Sequence, residues 1–251
     1  MIIEDVTIVI CNWMQTRFTL GAVRNVRKYY PDIRIIVVDD GSDENLKNDF
    51  NLAYARVTYS KDERFDNDPG KLLAETLNLG YYLVKTPKHV GHGSAIDYGL
   101  DNINTKLMLT MDNDIRMKEG GLIEEYLGRM NEDIDNIYAV GTSYDEHHPD
   151  ANPKGVWIDP WFSLYQVEPI KLLHLSFTNF LYPSKPKTFH IGTGAFLHTM
   201  LSFSGLHRPK VWKAIFYPAP EDIKQLCHLK KFPDEKPGDR NYDDWHKYID
   251  G

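Results

Sequence analysis

A short apolar run that ends in two carboxylates limits the folds open to this chain more than any other stretch. Residues 107–116 read Leu-Met-Leu-Thr-Met-Asp-Asn-Asp-Ile-Arg, so a run with the composition of a buried strand stops at Asp112, Asn113 and Asp114. In an open α/β sheet, ligands bind beyond the carboxyl ends of the strands, where such an acidic pair can hold Mg²⁺ or Mn²⁺ beside a phosphorylated substrate. The alternative is an Asx-rich turn, because Asp and Asn readily bond their own backbone after a strand.

Other apolar runs predict further strands of the same sheet. The predicted strands cover residues 6–11, 33–38, 81–85 and 137–141, and helices are predicted over 16–30 and 119–130. Strands that alternate with helices form a parallel sheet, and parallel strands end at one common edge. Since the second strand ends in Asp39-Asp40-Gly41-Ser42, we expect Asp40 to face the same crevice as the acidic pair. The predicted fold class is α/β, with a mostly parallel, Rossmann-like sheet flanked by helices.

Composition excludes several classes of protein. A formal net charge of −7 argues against a nucleic-acid-binding protein, which normally carries a basic face. The two cysteines, Cys11 and Cys227, have no spacing typical of a zinc site or a disulfide framework, so a reducing compartment is expected. No signal peptide and no long apolar segment is recognisable, which predicts a cytoplasmic protein without a transmembrane segment and with at most peripheral membrane contact.

The first half of the chain has the residues of a nucleotide site. Asp40 is suited to accept a hydrogen bond from a base N–H or a ribose hydroxyl. Trp13 follows the first strand and either stacks on a nucleobase or packs as a loop aromatic. The glycines at 91, 93 and 99 lack the spacing of a dinucleotide fingerprint and predict instead a tight turn into a helix, whose first amides can meet a phosphate.

Four segments of the chain form one recognisable pattern: residues 6–10, 35–42, 90–99 and 109–114. Together they resemble glycosyltransferase family 2, whose members have the GT-A fold. The resemblance implies transfer of a sugar from a nucleotide-diphosphate sugar to an acceptor hydroxyl, with inversion at the anomeric carbon and with Mn²⁺ or Mg²⁺ as cofactor. It also implies that Asp40 contacts the base, that Trp13 stacks on it, and that Asp112 and Asp114, as the DXD motif, serve ribose and metal. Cys11 and Gly91 complete the predicted nucleotide-binding set.

The resemblance also points to residues in the second half. The family's Glu-Asp pair corresponds to Glu221 and Asp222, which we expect to open an amphipathic helix over 221–231 that contains Cys227. Asp222 is the predicted general base, with Glu221 as the fallback, although carboxylates also stabilise a helix start by themselves. His190 precedes a predicted glycine-rich strand at 191–197 and is either a third metal ligand or a structural histidine.

The chain departs from the family pattern at the glycine-rich segment. The family's Ala-Arg-Asn triplet appears here as Ala95-Ile96-Asp97, so the expected cation beside the diphosphate is absent. The metal, Arg17, Lys88 or His92 are the candidates to replace that charge. The Gln-x-x-Arg-Trp stretch of processive synthases is missing as well, which favours a transferase that adds a single sugar.

Residues 144–165 mix turn formers with aromatics and are predicted to form a loop over the sheet edge. Trp157 and Trp161 either form an acceptor platform in this loop or anchor it to the core. The adjacent His147 and His148 are expected to be solvated.

The chain is predicted to form one GT-A domain over residues 1–235, followed by a tail over 236–251. Residues 1–116 form its nucleotide-binding half and residues 117–235 its acceptor half. The expected donor carries UDP or dTDP rather than GDP, because Asp40 suits a uracil or thymine N3–H. The expected acceptor is a saccharide, free, lipid-linked or protein-linked, as in polysaccharide biosynthesis. A sugar nucleotidyltransferase and a catalytically silent nucleotide-sugar or glycan-binding module are the alternatives.

Overall fold

The computed structural model describes residues 1–42, 58–59, 80–143, 158–178, 180–184, 187–191, 197, 201, 212–218 and 223–228. The helices whose bounds lie within these residues are a 3₁₀ turn at Ile3–Asp5 and the α-helices α1 (Thr16–Tyr29), α2 (His92–Asp101), α3 (Leu122–Asn131) and α4 (Val167–Leu172). The strands are β1 (Val6–Asn12), β2 (Arg34–Asp39), β3 (Thr58–Tyr59), β4 (Tyr82–Lys85), β5 (Leu107–Met111), β6 (Ile115–Met117), β7 (Ile137–Ser143), β8 (Ile158–Gln166), β9 (Phe180–Ser184), β10 (Lys187–Ile191), β11 (Lys213–Tyr217) and β12 (Leu226–His228).

Eight strands form the central sheet, in the order β11-β7-β8-β5-β1-β2-β4-β3. All neighbouring pairs are parallel except the two made by β8, which runs antiparallel to β5 and β7. The predicted α/β class and mostly parallel sheet are therefore confirmed. Because β1, β2 and β5 are parallel neighbours, their carboxyl ends meet at one edge of the sheet.

The central strands are buried on both faces, which explains their continuous apolar runs. Ile8 and Ile10 belong to a core cluster that includes residues of α1 and α3. Val9, which points to the opposite face, belongs to a second cluster that includes residues of α2 and α4. The helices thus cover both faces of the sheet and leave its carboxyl edge open.

The prediction of a loop over residues 144–165 is wrong for the part that the structure describes. Residues 158–165 lie in β8, a strand placed between β5 and β7. Tyr165 and Phe162 are fully buried there, while Trp161 is half-buried within the strand. Pairing on both sides outweighs the turn-forming Asp159 and Pro160, so this part of the segment belongs to the sheet. Trp157, His147 and His148 lie outside the described residues.

Two predictions in the C-terminal part also fail. The segment expected to continue a helix to residue 231 instead forms β12, and Cys227 pairs with Arg116 of β6 in an antiparallel register. The strand expected at 191–197 is displaced: β10 ends at Ile191, and Leu197 is helical. Strand β12 depends on pairing with the distant β6, which the local pattern does not contain. Strand β10 instead pairs with the preceding β9. Among the helices within the described ranges, none is long and apolar enough to cross a membrane.

Candidate nucleotide and metal site

A pocket opens at the carboxyl edge of the sheet, where β1, β2 and β5 end and α2 begins. It combines three carboxylates with two imidazoles, a tryptophan ring and three side-chain amides. Its lining residues are Cys11, Asn12, Trp13, Gln15, Asp40, His89, His92, Ala95, Asp112, Asn113 and Asp114. This is the place where a doubly wound fold binds its ligand.

Backbone bonds hold Asp112, Asn113 and Asp114, here called the acidic triplet, in place after β5. The backbone N–H of Asp112 donates to the carbonyl of Trp161 at 2.9 Å, and the carbonyl of Asp112 accepts the N–H of Ile115 at 3.1 Å. The antiparallel strand β8 therefore fixes the point at which the chain leaves the sheet. The carboxylates of Asp112 and Asp114 both line the pocket as a consequence.

A chain of side-chain hydrogen bonds connects the end of β2 to the acidic triplet. The Asn12 amide donates to the carboxylate of the fully buried Asp39 at 3.0 Å, and the Thr19 hydroxyl donates to Asn12 at 2.8 Å. The Asn113 amide in turn donates to the Thr19 hydroxyl at 3.1 Å. Four residues from separate segments thus share one polar network under the pocket floor.

Arg116 lies beneath the same triplet and is only 2% exposed. Its guanidinium donates to the carbonyl of Asn113 at 2.7 Å and to the carbonyl of Phe18 in α1 at 2.9 Å. A buried guanidinium with these partners ties the acidic triplet to the first helix. The positive charge of Arg116 therefore lies beneath a pocket that is lined by three carboxylates.

The buried Asp40 organises the loop between β4 and α2. Its carboxylate accepts the backbone N–H groups of Val90 at 2.7 Å and Gly91 at 3.0 Å. His89 Nδ1 lies 2.7 Å from the same carboxylate, and the Thr86 hydroxyl lies 3.2 Å from it. Asp40 therefore fixes the position of residues 89–91, which lie beside the pocket.

Trp13 and His89 form a stacked pair at the mouth of the pocket. Their ring centroids are 4.4 Å apart and their planes are inclined by 21°. The Trp13 ring is exposed, and the His89 side chain is about half-exposed. Trp13 was expected either to stack on a nucleobase or to pack as a loop aromatic. The structure shows it packed against another ring of the protein, and much of its own ring stays open to solvent.

His92 is the first residue of α2 and reaches across the pocket floor. Its Nε2 lies 3.2 Å from Asp112 Oδ1. Burial opposes a charge on His92, but the Asp112 carboxylate and the Cys11 thiol outweigh burial and raise the pKa of the imidazole well above its ordinary value. Burial also raises the pKa of the Cys11 thiol, which His92 only partly offsets. Of the side chains considered as substitutes for the missing arginine, His92 lines the pocket, and the side chain of Arg17 lies outside the described residues.

Ile96, which stands where the family pattern has an arginine, packs into the protein core. This side chain points into the core on the far side of α2 and is 1% exposed. The next residue, Asp97, accepts hydrogen bonds from the hydroxyls of Ser176 and Thr178 and from the backbone N–H of Phe177 at 2.8 Å. Both residues therefore hold α2 to its neighbours, and neither is directed to the pocket.

The acidic triplet fits a hard divalent cation. Asp112 and Asp114 offer carboxylate oxygens and Asn113 offers an amide oxygen, which are the donor types that Mg²⁺ and Mn²⁺ take. Within the described parts of the chain, no group of three His, Cys, Asp or Glu side chains is arranged to hold a metal ion. A site with one or two protein carboxylates is still ordinary for Mg²⁺, because water and substrate phosphates complete the shell.

The pocket brings together five of the residues predicted from sequence: Cys11, Trp13, Asp40, Asp112 and Asp114. Gly91 lies next to it as the N-cap of α2. The predicted base pair Glu221 and Asp222 lies outside the described residues, as does the side chain of His190, whose backbone belongs to β10. Sequence reasoning missed Asn12, His89 and Arg116, since only the fold shows that these polar residues meet at one site. The functional roles of all these residues stay predictions.

Comparisons with known proteins agree with this architecture. The sequence model of "Glycosyl transferase family 2" matches residues 66–186. A search of curated proteins finds no match.

Solved structures of similar fold were also found. The mannosyltransferase PcManGT from Pyrobaculum calidifontis, in complex with GDP-Man and Mn²⁺, aligns with 85% of this chain at 12% identity and a TM-score of 0.54. The crystal structure of S. aureus TarS 1-349 aligns with 85% of this chain at 13% identity and a TM-score of 0.48. The aligned part covers 55% of the PcManGT chain and 60% of the TarS chain, so this chain spans little more than half of either. The family model thus matches just under half of the chain, and the fold is similar to that of PcManGT.

Proposed function

We propose that this protein transfers a sugar from a nucleotide-diphosphate sugar to an acceptor hydroxyl, with a divalent cation and with inversion at the anomeric carbon. One observation carries the proposal. The acidic triplet, the loop held by Asp40 and the first turn of α2 converge on a single pocket at the carboxyl edge of the sheet. The proposal gains support from the family match, and PcManGT of similar fold binds GDP-Man and Mn²⁺.

The donor half of the site would use residues at the pocket floor. Asp112 and Asp114 would hold Mn²⁺ or Mg²⁺, and the free amides at the start of α2 favour an anionic diphosphate. The chemistry that such a cation supplies when bound is neutralisation of the charge on the departing diphosphate. His92 begins α2 at the same place, with its Nε2 3.2 Å from Asp112 Oδ1.

The acceptor half of the proposal rests on Asp222. The acceptor oxygen attacks the anomeric carbon while the bond from that carbon to the diphosphate oxygen breaks. The hydroxyl proton passes to the Asp222 carboxylate, and the nucleoside diphosphate leaves. Attack on the face opposite the leaving group inverts the anomeric centre. Glu221 is the fallback base, and a saccharide or glycolipid is the proposed acceptor.

Calorimetric titration with UDP, dTDP and GDP, each with and without Mn²⁺, tests the donor site. We expect UDP or dTDP to bind only with Mn²⁺, and Asp114→Ala to lose this binding because it removes a carboxylate from the pocket. Asp222→Ala should keep it, since the proposed base does not touch the diphosphate. Asp32→Ala is the matched control, because Asp32 is an exposed aspartate at the opposite edge of the sheet. Absence of binding by every nucleoside diphosphate contradicts the proposal.

Product formation with a panel of saccharide acceptors tests the transfer step. We expect Asp222→Ala to lower the rate by roughly 10²- to 10⁴-fold, as is typical for loss of a general base. Two other results would each indicate one of the alternative functions. Pyrophosphate release from a nucleoside triphosphate and a sugar phosphate indicates a nucleotidyltransferase, whereas donor binding without turnover on any acceptor indicates a silent binding module.

A further inference from the structure

Asp40 is the residue expected to contact the base, but its carboxylate is already engaged. Only 3% of this side chain is exposed. Val90 N–H and Gly91 N–H donate to it, and His89 Nδ1 lies at 2.7 Å. The two carboxylate oxygens offer about four lone pairs in all, so three nitrogen donors and the Thr86 hydroxyl at 3.2 Å surround it completely. A base N–H would reach Asp40 only after His89 had moved away.

His89 presents its ring at the position where the base would otherwise meet Asp40. Its side chain is 48% exposed and lines the pocket beside Trp13. The bond from Nδ1 to Asp40 fixes the tautomer of the neutral imidazole: Nδ1 carries the proton and Nε2 is an acceptor. Among the described residues, Nε2 has no hydrogen-bond partner of its own.

The stack on Trp13 fixes the plane of this acceptor. The imidazole and the indole lie within 21° of parallel. A hydrogen bond to an imidazole nitrogen lies close to the ring plane, so a base bound to Nε2 is itself nearly parallel to the indole. Edge-on pairing with His89 and face contact with Trp13 are therefore compatible for one flat ligand.

We propose that His89, oriented by Asp40 and Trp13, reads the base of the donor nucleotide and selects bases that carry an imino N–H. This inference rests on the proposed function, since it assumes that a nucleotide occupies the pocket. Uracil and thymine present N3–H, and guanine presents N1–H, each of which can donate to Nε2. Cytosine and adenine present a bare ring nitrogen at the corresponding position, which would face Nε2 lone pair to lone pair.

Titration with UDP and CDP in the presence of Mn²⁺ isolates the base, because the two ligands share the same ribose and diphosphate. We expect the wild type to bind UDP more tightly than CDP. In His89→Asn the amide can still donate to Asp40, but the distal acceptor is gone, so the UDP:CDP affinity ratio should fall by about three- to tenfold. In His89→Gln the amide oxygen reaches the place of Nε2 and should restore part of the ratio.

The affinity ratio is the informative measurement, because general damage to the pocket weakens both ligands alike. The control is His174→Asn, which changes an exposed histidine remote from the pocket at a left-handed backbone position that Asn tolerates. This control should keep the wild-type ratio. An unchanged ratio in His89→Asn, or a wild type without preference for UDP, overturns the inference while leaving the transferase intact. If no nucleoside diphosphate binds, both the inference about His89 and the proposed transferase function are overturned.

Discussion

At the scale of single residues, Gly41 shows how closely the backbone sets the pocket wall. Its φ of +63° is in the left-handed region, and a Cβ built there would lie 2.2 Å from the His89 backbone nitrogen and 2.3 Å from the Lys88 carbonyl carbon. We expect Gly41→Ala to lower the free energy of unfolding by about 2–4 kcal/mol, because left-handed strain adds to a clash with backbone that cannot step aside. Urea unfolding followed by circular dichroism measures this loss.

Gly121→Ala separates the two causes. Gly121 has a φ of +98°, but a Cβ there meets no atom within 4 Å. This variant should lose only the conformational part, about 1 kcal/mol. Equal losses in the two variants would show that the close approach of Gly41 to the loop at residues 88–89 contributes nothing to stability.

The same residue scale shows what sequence could and could not reveal of the site. Asp40, Asp112 and Asp114 were predictable, because each follows an apolar strand and parallel strands end at one edge. The pairing of His89 with Asp40 was not, since it depends on the path of residues 86–91 and on the left-handed turn at Gly41. Arg116 was equally hidden, because nothing local distinguishes a buried arginine from a solvated one.

At the scale of elements, Asp97 anchors the helix that forms one wall of the pocket. It accepts hydrogen bonds from Ser176, Phe177 and Thr178, and so ties α2 to the segment after α4. We expect Asp97→Ala to lower the free energy of unfolding by about 1–3 kcal/mol, because these donors lose their acceptor. Asp97→Asn should stay within about 1 kcal/mol of wild type at neutral pH, since an amide oxygen can still accept the Phe177 N–H.

The pH dependence of stability checks the same contact. Burial raises the pKa of Asp97 above its ordinary value, although its three hydrogen bonds oppose this. The folded state therefore binds the proton more tightly than the unfolded state, and this group costs stability as the pH rises from the unfolded pKa through the folded one. Asp97→Asn lacks that titration, so its stability relative to wild type should improve over this interval. A constant difference between the two proteins across the acid range would show that Asp97 is not buried as described.

Elements that are determined by their local sequence were predicted well. Elements that depend on pairing with a distant segment were not. Strands β1, β2 and β5 are continuous apolar runs, and each was placed within about one residue of its observed bounds. Strand β8 contains Asp159, Pro160 and Trp161, which locally indicate a turn, yet pairing on both sides keeps it in the sheet. Strand β12 exists because it pairs with β6, and that contact joins residues more than a hundred positions apart.

At the scale of the whole molecule, residues 223–228 support the pocket from a distance. Strand β12 pairs with β6, which directly follows the acidic triplet and carries Arg116. Ile223 and Leu226 are buried in the same core cluster as α1 and α3. The predicted halves 1–116 and 117–235 therefore share one core cluster, and residues 223–228 contribute to the scaffold behind Asp112 and Asp114.

Two truncations test the proposed domain boundary at residue 235. The chain 1–235 keeps β12 and should match the full chain in urea unfolding and in UDP binding with Mn²⁺. The chain 1–222 loses the burial of Ile223 and Leu226, and should lose about 3–6 kcal/mol of stability at ~1.5–3 kcal/mol per buried side chain. Because typical domains have only ~5–15 kcal/mol in total, this loss should also weaken nucleotide binding through the exposed edge of β6. If 1–222 is as stable as the full chain, β12 is not part of the core. If 1–235 is destabilised, the domain extends into the tail.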